Sequence, residues 1–106
     1  MDIQKFKNSV GGAEPPGNLP PPLRALWHQA KGDWDKAHSL VQAENTQAAA
    51  WVHAFLHRVE GDDSNAAYWY GIAGYSLCAS SLSSEWGDIA GQLLEAQTES
   101  ALEMDH

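Results

Sequence analysis

From Pro20 onward the apolar residues recur at helical spacing, and no segment alternates as a strand would. Leu23, Leu26, Trp27 and Ala30 fall at i, i+3, i+4 and i+7, which predicts an amphipathic helix over residues 21–31. Pro20, Pro21 and Pro22 start it, because a first helical turn leaves its N–H groups unpaired anyway, and Gly32 stops it. Asp33 caps a second helix to about Gln42, with Trp34, Ala37, His38 and Val41 on its inner face. Thr46 caps a third, in which Ala48, Val52, Phe55, Leu56 and Val59 form the buried stripe and Gly61 the stop. Asp62, Asp63 and Ser64 supply caps for a fourth helix, Asn65 to about Tyr75, apolar on two sides. After the Ser-rich connection from Ser76 to Ser84, Ser83 or Ser84 caps a last helix. Its stripe is Trp86, Ile89, Ala90, Leu93, Leu94 and Gln97, and it ends near Leu102.

The pattern repeats itself. His28, Gly32, Asp33 and Ala37 match His57, Gly61, Asp62 and Ala66 without a gap, at an offset of 29 residues. Each unit is a helix, a Gly stop, an Asp cap and a second helix, with a small Ala where the two cross. Such a hairpin has one open apolar face and needs a neighbour. The expected fold is therefore all-α: two stacked helical hairpins plus a C-terminal helix, in one domain over residues 20–106. Residues 1–19 carry Gly11, Gly12, Pro15, Pro16 and Gly17 and are expected as a flexible arm, although Ile3, Phe6 and Val10 could share one helical face.

The segment GDWDKAHSLVQ resembles the turn and second helix of a tetratricopeptide repeat, and NAAYWYGIAG resembles the matching part of shorter Tyr-rich relatives. The offset is shorter than the roughly 34 residues of that family. The chain also resembles a group of small helical proteins with a WVHA-x-LHR, GD, NA-x-YWY signature, here Trp51 to Tyr70. Both resemblances imply helical-hairpin packing, and neither brings an activity with it.

Composition narrows the function classes. A chain of 106 residues with 43% hydrophobic content is one domain's worth, with enough apolar area for a core. Its net charge of -8 and six scattered Lys and Arg argue against nucleic acid and against an anionic membrane surface. No apolar run is long enough to span a bilayer, the start lacks a secretory signal, and Cys78 is the single cysteine, so a cytoplasmic location is expected.

Chemistry concentrates on the third helix. At about 100° per residue from Val52, His53 lies near 100°, His57 near 140° and Glu60 near 80°, so the three line one flank of the buried face. Two imidazoles one turn apart plus a carboxylate form a donor set for a divalent zinc or iron ion, and His38 could supply a fourth ligand. Against this, the same histidines could simply be buried at helix interfaces, hydrogen-bonded to carbonyls or carboxylates or packed on Trp faces. The HExxH order is absent and no catalytic nucleophile with a preset base is apparent. On the opposite flank, Trp51 and Arg58, with Tyr68 beyond, are candidates for contact with a protein partner or a second copy of the chain. The primary expectation is a non-catalytic interaction or scaffold domain, and the alternative is a His-based metal-binding protein or small metalloenzyme.

Overall fold

A computed structural model describes the backbone of residues 1–104 and the side chains of residues 1–97. It contains α1 (Ile3–Ser9), α2 (Pro21–Ala30), α3 (Trp34–Gln42), α4 (Gln47–Glu60), α5 (Asp63–Ala73) and α6 (Leu82–Met104), and no strand among the described residues. The fold is all-α. α2 packs on α3 and α4 on α5 as two hairpins, α3 lies against α4, and α6 closes over α1, α2 and α4. None of the described helices is long and apolar enough to cross a membrane.

The two hairpin turns are built alike. Gly32 and Gly61 both take left-handed backbone, with φ of 89° and 85°, where a side chain would be strained. The amide of Asp33 then donates to the His28 carbonyl at 2.9 Å, and that of Asp62 to the His57 carbonyl at 2.9 Å. Each pairing satisfies a carbonyl that the ended helix leaves without a partner. Both aspartates cap the helix that follows, accepting from Lys36 N at 3.1 Å and Asn65 N at 3.2 Å. Ala37 and Ala66 are fully buried at the crossings, as expected of small residues there.

Three expectations change. Residues 1–19 begin with a docked helix: Asp2 caps α1, and Phe6 is fully buried with its ring stacked on Trp86, centroids 5.5 Å apart. Trp27 Nε1 donates to Ser9 Oγ, and the Lys31 ammonium donates to the carbonyls of Val10 and Gly12, so α2 fastens the C-terminal end of α1. So short an apolar face suffices because Phe6 meets an aromatic partner far along the chain. Second, α4 is buried from Ala49 through His57 without interruption and not along one stripe. It contacts α2, α3, α5 and α6, so every side of its middle is covered. Third, the cap of α6 is Ser81, which accepts from Ser84 N at 3.0 Å, since a cap reaches two or three residues ahead.

Candidate metal centre

The three histidines singled out on α3 and α4 come together. His53 and His57 are one turn apart and so project from the same side of α4, where α3 presents His38. His38 Nε2 stands 3.0 Å from His53 Nε2, and one ring nitrogen from each of His38, His53 and His57 lies within 4.8 Å of the other two. His53 is 5% exposed and His57 6%.

Two indoles hold this cluster in place. Trp34 stacks on His38 at 4.8 Å between centroids, and its own Nε1 donates to the Leu56 carbonyl at 2.7 Å. Trp69, from α5, stacks on His53 at 4.0 Å and 13°. Between these walls the rings of His53 and His57 lie 4.9 Å apart, with His38 edge-on to His53. Each Trp face therefore fixes the orientation of an imidazole plane, which aims its nitrogens into the space between α3 and α4.

Glu60 lies beside His57 and outside the group of three converging imidazoles. Its Oε1 is 2.6 Å from His57 Nδ1. An ionised carboxylate only accepts, so Nδ1 of His57 donates to it and Nε2 is the ring nitrogen left to face a metal ion. This is how carboxylates orient metal-binding histidines elsewhere: they select the tautomer and raise the basicity of the other nitrogen. A second grouping, His57 with Glu60 and Asp62, also brings donor atoms within 4.8 Å, but both of its carboxylates are exposed and Asp62 is occupied as the cap of α5.

Electrostatics favour neutral imidazoles at His38 and His53. Burial lowers His53 to about 4, helped by the like charge that His38 and His57 would carry if protonated. Burial also lowers His38, with His57 adding to the effect and Glu60 and Asp35 opposing it. Near neutral pH the His38–His53 contact is thus an N–H of one ring donating to the lone pair of the other. A metal ion requires unprotonated nitrogens, so its binding would displace the proton shared in this contact. Taken together, His38, His53 and His57 could hold a metal ion.

The other candidates are distributed differently. Trp51 is 7% exposed and stacks beneath Tyr75 at 4.2 Å, so this chain's own segment after α5 covers it. Arg58 donates from Nη1 to Glu85 Oε1 at 2.7 Å and from Nη2 to the Ser80 carbonyl. Tyr68 is 62% exposed, its ring edge-on to Trp69.

One polar group escaped the sequence reading. Glu85 is 3% exposed and bonded through its other oxygen to Tyr70 Oη at 2.5 Å. Burial and that hydrogen bond raise the Tyr70 phenol, so it remains a donor. The Arg58–Glu85–Tyr70 network ties α4, α5 and α6 together around the Ser-rich connection. A carboxylate in a first helical turn reads as a dipole partner, and nothing in its spacing marks it as buried. Compared with known proteins, the chain matches no family model, no curated sequence and no solved structure.

Proposed function

We propose that this chain is a divalent-metal-binding helical domain whose ligands are His38, His53 and His57, with Glu60 orienting His57. The observation that carries the reading is the convergence of three imidazoles from two hairpins on one point. The 3.0 Å between His38 Nε2 and His53 Nε2 is close to the separation of about 3.3 Å between nitrogens on a tetrahedral zinc with Zn–N bonds of about 2.0 Å. An all-imidazole set suits zinc, and iron is the second choice because its usual site adds a direct carboxylate. Elemental analysis of protein purified without an affinity tag should return close to one zinc per chain, and His53→Ala should abolish it. Metal well below stoichiometric in the parent protein, after exposure to zinc, would remove the proposal.

A second reading, of a protein-contact domain, is supported by one feature: Tyr68 and Ile72 stand one turn apart on α5, 62% and 52% exposed. With Trp51 and Arg58 engaged internally, that contact would centre on Tyr68. Light scattering of the protein and of Tyr68→Ser tests it for self-association: the reading requires an oligomer that the variant dissolves.

A further inference from the structure

On the face away from the histidines, α1, α2, α4 and α6 enclose an open cleft of about 410 Å³. That lies within the range of roughly 300–1,000 Å³ typical of small-molecule sites. Its walls are apolar and fixed. Phe55 forms part of the floor, and Trp86 is pinned by its Nε1 donating to the Leu26 carbonyl at 2.9 Å and by the stacked ring of Phe6. Leu82, 41% exposed, leaves apolar surface uncovered beside them.

Three polar side chains border this cleft. Lys7, Gln29 and Ser83 line it, and each can donate a hydrogen bond. The Lys7 side chain runs along α6 past Gly87, where an added Cβ would lie 3.7 Å from its Nζ. Among the described residues no carboxylate pairs with it, Asp88 beside that glycine included. Lys31 is engaged by the carbonyls of Val10 and Gly12, and Lys5 of α1 does not line the cleft. The Lys7 ammonium above an aromatic floor is locally complementary to a group that is anionic at one end and apolar at the other, against the chain's overall charge of -8.

We infer that this cleft binds a small amphiphilic monoanion of the medium-chain carboxylate class. The carboxylate meets Lys7 and accepts from Gln29 or Ser83, while the tail covers Phe55, Leu82 and Trp86. This site is independent of the metal centre. Octanoate and octylammonium, equal in tail and opposite in head charge, are the probes, titrated into the full chain and followed by the NMR signal of the Trp86 indole N–H. Octanoate is expected to shift that signal saturably and octylammonium is not. Lys7→Gln, at an exposed position, should weaken octanoate about fivefold, the upper end for an exposed ion pair. Ala30→Phe, which fills the cleft from the end of α2, should abolish the shift. Equal binding of the two probes, no saturable shift with octanoate, or an unchanged affinity in Lys7→Gln would each overturn the inference.

Discussion

His53 carries the largest electrostatic cost at the cluster, and that cost has a sign. Its folded value of about 4 lies below the ordinary 6.5, so the unfolded chain takes up this proton first as pH falls. Stability is therefore full above pH 6.5, declines between 6.5 and 4, and loses up to about 3 kcal/mol from this residue. His38, also lowered, acts in the same direction. Urea unfolding followed from pH 7.5 to 4 should show a steeper loss in the parent than in His53→Asn; parallel curves would mean that His53 is not held neutral by the fold. Glu60 is tested by a pair of variants. If it orients His57, Glu60→Ala weakens zinc binding about 10- to 100-fold, and Glu60→Gln, whose carbonyl still accepts from Nδ1, recovers part of the loss. If Glu60 were itself a ligand, calorimetry would find the two variants equally impaired.

The elements were largely legible because the cues that define them are local. Gly32 and Gly61 stop α2 and α4, and Asp33 and Asp62 cap α3 and α5, where the residue types placed them. What escaped was set by distant partners. α1 owes its docking to Trp86, and Trp51 owes its burial to Tyr75, neither of which periodicity on one helix can reveal. The same logic divides the site: the flank holding His53, His57 and Glu60 follows from helical angle alone. The meeting with His38 and the stacking of Trp34 and Trp69 depend on how α3 and α5 cross α4. The turns offer a clean test at this scale. An added Cβ meets nothing within 4 Å at Gly32 or Gly61, so any cost of Ala there is conformational. Gly32→Ala and Gly61→Ala should each destabilise by about 1 kcal/mol, measured as a shift in denaturant midpoint. A stabilised variant would contradict the left-handed turn.

For the molecule as a whole, the histidine cluster joins the two hairpins. His38 belongs to the first and His53 and His57 to the second, with Trp69 of the second closing the far wall. An ion bound there would act as a staple between halves that otherwise meet through side-chain packing and the Trp34–Leu56 hydrogen bond. At a free zinc concentration 100-fold above the dissociation constant, unfolding should cost about 2.7 kcal/mol more than in the metal-free protein. Thermal melts with and without zinc would register this as a raised midpoint that disappears in His38→Ala. The Arg58–Glu85–Tyr70 network and the Lys7 cleft lie on other sides of α4, which makes this buried helix the common wall of all three features. The most direct test of the central claim is X-ray diffraction from crystals of untagged, zinc-exposed protein, recorded on both sides of the zinc absorption edge. An anomalous peak about 2.0–2.1 Å from nitrogens of His38, His53 and His57 is the predicted result. A map with no peak there, and the three imidazoles hydrogen-bonded only to one another and to Glu60, would contradict it.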